Sequence, residues 1–277
     1  MLTRAVGRAL AGPVDGVRWS VVVRDGTGAV LAAHEPDALR SSASVGKLLL
    51  LLEVARAMGE GRLAADGRLA RRTDLDVADS GLWQHLRAEA LPVADLAVLV
   101  AALSDNLATN VLLDAVGGTA PVAATAAAAG LADVALLDRV RDRRGPGDPP
   151  RLSEGSAAGW SALVHRVAID DLPWPGVAAR VRGWLTTAVD TSMVASALHL
   201  DPLAHGGSRW WGKTGTDTDV RADVGHVSGP GGRLSYAAIA EGDLGGSGLD
   251  AVMTGMRDLG AALRAEVAGG PGGSLRA

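Results

Sequence analysis

Segments rich in Val and Ala near both ends of the chain are typical of β-strands. Turn-forming sequences separate consecutive segments, among them Asp25-Gly26-Thr27-Gly28. The predicted strands are residues 17–23, 29–33, 208–212, 220–227 and 234–240. The two terminal parts of the chain are therefore expected to build one sheet.

In the middle of the chain, Ala and Leu recur at helical spacing. The predicted helices are a short N-terminal one and residues 45–58, 93–103, 107–115, 155–168, 176–187 and 251–267. A loop rich in Pro, Gly and Arg, residues 139–151, interrupts this region. We expect an interrupted α/β fold in which residues 1–35 and 190–277 form a sheet subdomain and residues 36–189 a helical one. Clefts between such parts are common ligand sites, so we expect the functional site there.

The composition excludes several classes of protein. With 48% hydrophobic residues in 277, the chain can form a sizeable core, and the lack of cysteine excludes disulfides, thiolate zinc sites and a catalytic thiol. A net charge of −4 argues against a nucleic-acid partner, and no apolar run reaches the ~18 residues of a membrane span. No secretory signal is visible, so we expect a cytoplasmic protein, or an exported one if a leader has been removed. The histidines lack metal-binding spacing, and we expect no metal and no cofactor.

Lysine is rare in this chain, where nearly all basic residues are arginine. Only Lys47 and Lys213 are lysines among the 27 basic residues, and asparagine occurs only at Asn106 and Asn110. Arginine does not lose its proton in proteins, whereas a desolvated lysine does and can then act as a base. Both lysines are therefore candidates for chemistry that arginine cannot perform.

The sequence Ser44-Val45-Gly46-Lys47 stands at the start of an apolar predicted helix. Residues three apart share a helix face, so we expect the Ser44 hydroxyl and the Lys47 amine to meet. Serine becomes a nucleophile when a base removes its proton, and the five leucines after Lys47 disfavour the charged amine. The alternative is a helix cap followed by a surface lysine, which this motif alone leaves open.

Two further motifs carry polar side chains. Ser104-Asp105-Asn106 lies between two predicted helices, where the serine could relay a proton and the asparagine could bind a substrate amide or Lys47. The alternative for this motif is a helix N-cap. Lys213-Thr214-Gly215 ends a predicted strand, where Lys and Thr could bind a carboxylate and Gly lets a substrate approach the backbone. The alternative is a lysine that protects a sheet edge.

In this order, the three motifs resemble those of the penicillin-recognising serine enzymes, in particular class A β-lactamases and their serine-hydrolase relatives. The resemblance extends over most of the chain. The segments that carry it are Ser80–Leu82, Pro92–Leu113, Leu137–Arg139 and Lys213–Val227. It implies an α+β fold of the β-lactamase/transpeptidase type, with an antiparallel sheet flanked by helices and an all-helical subdomain.

The resemblance also implies a role for each residue of the motifs. Ser44 would be the acylated nucleophile, Lys47 its base and Ser104 the proton shuttle to the leaving nitrogen. The residues implied to bind substrate are Asn106, Lys213, Thr214, Gly215, Thr216 and Arg221, the last matched with a shift of one residue. The backbone N–H groups of Ser44 and Thr216 would form the oxyanion hole. The implied protein is a monomeric hydrolase of small acyl compounds such as β-lactams.

One departure from the class A pattern concerns deacylation, the hydrolysis of the acyl-enzyme. Two residues beyond Leu137-Asp138-Arg139, where that family has the glutamate that activates the deacylating water, this chain has Arg141. The asparagine expected a few residues later is also missing, and neither Asp142 nor Glu154 matches the pattern. A guanidinium cannot act as a general base at neutral pH. We therefore expect acylation to be intact and β-lactam turnover to be weak or absent.

This departure leaves other functions open. The protein could remain acylated and act as a sensor or trap, or it could act on esters, peptides or biosynthetic intermediates. A nucleotide-binding alternative rests on Gly207–Thr214, which satisfies the P-loop pattern. That loop must open a helix, however, and the acidic residues that follow are unfavourable for phosphate.

Overall fold

The computed structural model of the protein describes residues 2–9, 16–200 and 209–269. The strands are β1 (Val17–Asp25), β2 (Val30–His34), β3 (Arg40–Ser41), β4 (Arg68–Ala70), β5 (Ala90–Pro92), β6 (Val134–Leu136), β7 (Ser153–Gly155), β8 (Arg209–Asp217), β9 (Val220–Gly229) and β10 (Gly232–Gly242). The helices are α1 (Leu2–Ala9), α2 (Lys47–Gly59), α3 (Val93–Leu103), α4 (Asn106–Ala115), α5 (Thr119–Ala128), α6 (Ala157–Ala168), α7 (Val177–Leu185) and α8 (Gly248–Val267). Short 3-10 helices lie at Ala43–Gly46, Thr73–Leu75, Trp83–His85 and Val194–Leu198.

The main sheet takes its strands from both ends of the chain, in the order β2-β1-β10-β9-β8. All neighbouring strands are antiparallel, with Val21 opposite Ala238 in the centre and Lys213 opposite Val224 at one edge. Strands β9 and β10 are buried along most of their length, and β1 is buried in its centre, because helices cover both faces. Strand β8 is an edge of the sheet, and this edge adjoins the 3-10 helix Ala43–Gly46.

The two faces of the sheet belong to separate apolar cores. Helices α1 and α8, with the 3-10 helix Val194–Leu198, cover one face. Helix α6 covers the other face and packs against α7, which in turn packs against α2. Helix α2 is apolar around most of its circumference, and it is buried among its neighbours in this second core. A helix of this composition is stable only in the interior, which explains its central place.

The expected fold is the observed one, with some local differences. The helical region also contains two small sheets, β3-β7-β6 and β4-β5. Strand β8 continues to Asp217, so Lys213 lies in the middle of the strand and not at its end. The predicted strand start at Ser208 lies outside the described residues.

The P-loop interpretation is wrong for the described part of its segment. Residues 209–214 belong to strand β8, which continues to Asp217 and is followed by strand β9. In a P-loop, the loop is followed directly by a helix, and the N–H groups at the start of that helix face the phosphates. An extended strand paired with its neighbour does not offer those groups.

No single helix in the described ranges is long and apolar enough to cross a membrane. Helices α4 and α5, bent by 80° relative to each other, pass that test of length and composition only as a pair.

Two helical glycines form a matched pair that tests the packing of α8. A Cβ atom on Gly260 would lie 1.9 Å from the carbonyl oxygen of Val194, whereas a Cβ on Gly183 would meet nothing within 4 Å. We expect Gly260→Ala to lower the free energy of unfolding by about 1–3 kcal/mol through overpacking. Gly183→Ala should raise it by about 0.5–1 kcal/mol, because alanine favours the helix.

Urea denaturation followed by tryptophan fluorescence measures both changes. Equal stability of the Gly260→Ala variant and the wild type would contradict the close contact between α8 and the segment at Val194.

Candidate active site

Ser44 lies in the 3-10 helix Ala43–Gly46, which runs directly into α2. The preceding Ala43 has φ of +45°, a backbone conformation that residues other than glycine rarely adopt. Buried hydrogen bonds hold this turn, since Ser153 Oγ donates to the Ala43 carbonyl at 2.6 Å and pairs with Ser42 Oγ at 2.8 Å. Backbone strain of this kind persists only where the surroundings impose it, and it is concentrated at functional sites.

Gly215 brings the backbone of β8 against this turn. A Cβ atom at position 215 would lie 2.3 Å from the Ser42 carbonyl oxygen and 3.1 Å from the backbone nitrogen of Ser44. Only glycine allows such an approach, which sets Thr216 beside the turn that carries Ser44. The backbone N–H groups of both residues are the predicted oxyanion-hole donors.

Lys47 is completely buried, so the alternative of a surface lysine is wrong. Its Nζ contacts the Ser104 carbonyl oxygen at 2.7 Å, Asn106 Oδ1 at 2.7 Å and Ser104 Oγ at 3.2 Å. Burial, with a contribution from the positive charge of Lys213, lowers the pKa of Lys47 well below its usual value. The site therefore disfavours the charged amine more than water does.

The three contacts of Lys47 assign its hydrogens when the amine is neutral. The Ser104 carbonyl can only accept, and Asn106 presents its oxygen to Lys47 because its Nδ2 donates to the Ala78 carbonyl at 3.0 Å. These two acceptors use both hydrogens of the neutral amine, and the remaining lone pair can accept the Ser104 hydroxyl proton. Among the hydrogen bonds of the described residues, none joins Ser44 Oγ to Lys47 Nζ, so the expected direct meeting is not observed.

Asp105, between these two partners, has a structural role. Its Oδ1 accepts from the Ala108 N–H as the N-cap of α4, and its Oδ2 accepts from the N–H groups of Leu82 and Trp83. The N-cap alternative therefore holds for Asp105, which also ties the segment at Leu82 to the start of α4. Ser104, in the left-handed conformation at φ +57°, turns the chain so that its own polar atoms face Lys47.

Lys213 lies on the edge strand of the sheet but is 2% exposed. It is therefore not a solvated lysine that protects the sheet edge from pairing with another chain. Its Nζ donates to the Thr214 carbonyl at 2.8 Å. Burial lowers the pKa of Lys213 to about 8, although the negative charges of Asp190 and Asp223 act in the opposite direction.

Asp190 joins this group, although no motif in the sequence points to it. Thr214 Oγ1 donates to Asp190 Oδ2 at 2.6 Å, and Asp190 Oδ1 accepts from Ser192 N and Oγ at 3.1 and 2.7 Å. Burial alone would raise the pKa of Asp190, but the hydrogen bonds from Thr214 and Ser192 hold it below the usual value. The carboxylate is therefore ionised at neutral pH.

A cavity of about 240 Å³ collects most of the predicted site residues. The predicted residues that line it are Ser44, Ser104, Lys213, Thr214 and Thr216. Lys47 and Asn106 are buried and are linked to the cavity through Ser104. Arg221 points elsewhere, because its guanidinium donates to the carbonyls of Asp217 and Val220.

Comparison with known proteins now identifies the family. The model of the β-lactamase enzyme family matches residues 2–267, nearly the whole chain. The chain belongs to this family. Among solved structures, a β-lactamase from Sphaerobacter thermophilus is similar to the chain with a TM-score of 0.82 and 26% identity, over 94% of each chain.

Two further solved structures show the same fold at lower identity to this β-lactamase family member. A β-lactamase from Xanthomonas campestris has a TM-score of 0.80 and 20% identity, over 96% of this chain and 97% of that one. A mutant of PBP-A, solved as an acyl-enzyme complex with penicillin-G, has a TM-score of 0.80 and 20% identity, over 95% and 94%. No curated protein matches the chain in sequence.

Within this β-lactamase family member, the loop after Leu137 is held by arginine–aspartate pairs. Arg141 Nε donates to Asp138 Oδ2 at 2.7 Å, and Arg144 donates to the same carboxylate. Burial opposes ionisation of Asp138, but these two guanidinium partners hold its pKa below the usual value. Arg141 thus stabilises the loop at the position where the resemblance places a catalytic glutamate.

Asn110, which was noted only for the rarity of asparagine, positions the same loop. Its Oδ1 accepts from the Val140 N–H at 2.8 Å, and its Nδ2 donates to the Val140 carbonyl at 3.0 Å. This pair of bonds fixes the residue directly before Arg141. The nearby carboxylates are otherwise engaged, since Asp142 accepts from the Ala78 N–H and Glu154 lies near Arg151.

In the described ranges, no group of three or more His, Asp or Glu residues is arranged to hold a metal ion.

Lysine side chains labelled with 13C at Cε provide a direct test of the two amines, because the chain has only two lysines. We expect one NMR signal to titrate near pH 8, that of Lys213, and the other to titrate well below the ~10.4 of an ordinary lysine. Because burial depresses the folded-state pKa, the Lys213 amine costs stability below pH 8, and this cost decreases as the pH rises further.

Lys213→Arg is the matched control, since it removes one signal and keeps the positive charge that Lys47 experiences. Two signals that both titrate above pH 10 would contradict the buried, desolvated site.

Proposed function

We propose that this member of the β-lactamase family is a serine hydrolase that forms an acyl-enzyme on Ser44 with amide, ester or β-lactam substrates. The observation that carries the proposal is the fully buried Lys47 amine, hydrogen-bonded to Ser104 and Asn106 beside the cavity that Ser44 lines. A neutral amine in this place supplies the base that a serine nucleophile requires. Family membership and the likeness to solved β-lactamases support the same reaction class.

In the proposed acylation step, Ser44 Oγ attacks the substrate carbonyl carbon. Its proton passes to the lone pair of Lys47 Nζ with Ser104 Oγ as the relay, since this hydroxyl lies 3.2 Å from Nζ and lines the same cavity as Ser44. The N–H groups of Ser44 and Thr216 stabilise the negative charge that develops on the carbonyl oxygen. Ser104 then returns a proton to the leaving nitrogen, oxygen or sulfur atom as its bond to carbon breaks.

The proposed deacylation step is slow for β-lactams. Its usual requirement is a carboxylate that activates water, and Arg141 at that position stays protonated and paired with Asp138. The opened ring of a β-lactam also keeps its leaving nitrogen tethered next to the ester. A simple ester releases its leaving group, so its acyl-enzyme leaves more room for water.

The same missing glutamate favours a second candidate function, in which the protein remains acylated and acts as a trap or sensor. The two candidates differ in the fate of the acyl-enzyme that a small ester forms. Multiple turnovers of an ester would favour the hydrolase or a related acyl transferase, whereas a single turnover would favour the trap.

Intact-protein mass spectrometry during incubation with excess penicillin tests the nucleophile. We expect the wild type to gain the mass of one penicillin over minutes to hours and to keep it, because the carboxylate for deacylation is missing. Ser44→Ala should gain nothing. A wild type that penicillin leaves unmodified, and that also releases no leaving group from a carboxylate-free ester, would contradict the proposed nucleophile. Rapid destruction of penicillin without an adduct would contradict the expectation that Arg141 cannot support deacylation.

Two substitutions separate the proposed base from the proposed relay. Lys47→Arg should abolish acylation, since a guanidinium keeps its proton. Ser104→Ala should slow acylation by about 10²–10⁴-fold, the range typical of general acid–base groups. Stopped-flow release of a chromogenic leaving group measures both rates, and a Lys47→Arg variant with wild-type acylation would disprove the role of Lys47.

A further inference from the structure

Asp190 lies in the lining of the cavity that contains Ser44, at the end formed by Lys213 and Thr214. We propose that Asp190 makes this end selective for substrates with an uncharged, hydrogen-bond-donating group, such as a carboxamide or hydroxyl, in place of a carboxylate. This inference rests on the proposed function and names the substrate class of the same site. It revises the expectation that Lys213 and Thr214 bind a substrate carboxylate.

The hydrogen bond between Thr214 and Asp190 has a defined direction. An ionised carboxylate can only accept, so the 2.6 Å contact between Thr214 Oγ1 and Asp190 Oδ2 commits the single hydroxyl proton of Thr214 to Asp190. The Thr214 oxygen then offers only lone pairs to a ligand in the cavity. A carboxylate has no proton to give to them, whereas an amide N–H or a hydroxyl does.

The Asp190 carboxylate is held in place. Its other oxygen accepts two hydrogen bonds from Ser192, one from the backbone N–H and one from the hydroxyl. Hydrogen bonds to the charged form favour ionisation, in agreement with the lowered pKa of Asp190. A substrate carboxylate bound to Thr214 would therefore face a fixed negative charge.

Lys213 is the basic residue in the described lining of the cavity, and both Asp190 and the buried Asp223, which lies opposite Thr214 in the β8–β9 pairing, act on its amine. Arg221 is turned to the carbonyls of Asp217 and Val220 and does not add its charge here. The charge of Asp190, with a smaller part from Asp223, whose pKa burial raises to about 7, offsets the charge of this one amine and weakens its attraction for a substrate carboxylate.

Two thioesters of one acyl group test the selectivity, with thioglycolic acid and thioglycolamide as their leaving thiols. Attack by Ser44 Oγ forms the ester bond to the enzyme and breaks the carbon–sulfur bond, and the thiol leaves with the proton. The protein has no cysteine, so a thiol reagent measures the released thiol without background from the chain. Even a single turnover gives a signal, because thiol release reports acylation.

We expect the wild type to react with the carboxamide at least about tenfold faster in kcat/KM than with the carboxylate, since like charges repel at close range. Asp190→Asn removes the charge and keeps the shape, and it should lower this preference by about tenfold or more. The matched control is Asp219→Asn, which removes an exposed carboxylate from the turn between β8 and β9 and should leave the ratio unchanged.

The outcomes distinguish this inference from the proposed function. Faster reaction with the carboxylate in the wild type would overturn the role of Asp190, as would a preference that Asp190→Asn leaves unchanged in a variant with a native melting curve. No thiol release from either thioester, with Ser44 unmodified by mass, would overturn the proposed function and this inference together.

Discussion

The burial of the Lys47 amine is the constraint on which the site depends. Helix α2 is apolar over most of its surface and lies in the interior, so the first residue of this helix is carried away from water. A charged amine at such a place is costly unless a carboxylate pairs with it, and the observed partners of Lys47 are a carbonyl, a hydroxyl and an amide oxygen. Burial therefore lowers the pKa of Lys47 well below its usual value. The packing of α2 thus places an amine of lowered pKa beside the cavity that Ser44 lines.

The turn that carries Ser44 depends on contacts from distant parts of the sequence. Ser153 on β7 holds the strained Ala43 by a hydrogen bond. Gly215 on β8 allows the backbone at the sheet edge to contact the backbone of Ser44. Asp105 fixes the segment at Leu82 to the start of α4, beside the two residues that bond Lys47. The sheet from the chain ends and the helices from its middle therefore meet at Ser44, where each supplies part of the chemistry.

Much of this arrangement could be predicted from the sequence because rare residues marked it. The retention of Lys47 and Lys213 in an arginine-rich chain pointed to both amines, and local periodicity gave most helices and the five strands of the main sheet. Periodicity could not show that Ser44 lies on a 3-10 turn and not on the helix that carries Lys47. The hydrogen bond expected between the two side chains on a shared helix face is therefore not observed. Asp190 and Asn110 act through partners 24 and 30 residues away, and only tertiary structure brings such pairs together.

The most direct test of the central claim is the pH dependence of the acylation rate of Ser44, measured with a carboxylate-free thioester in wild type and in Lys213→Arg. If burial makes Lys47 neutral, the rate reaches its plateau well below the ~10.4 of an ordinary lysine. A rate that still rises about tenfold per pH unit between pH 9 and 10 would mean that Lys47 holds its proton like a solvated amine, which would contradict the account.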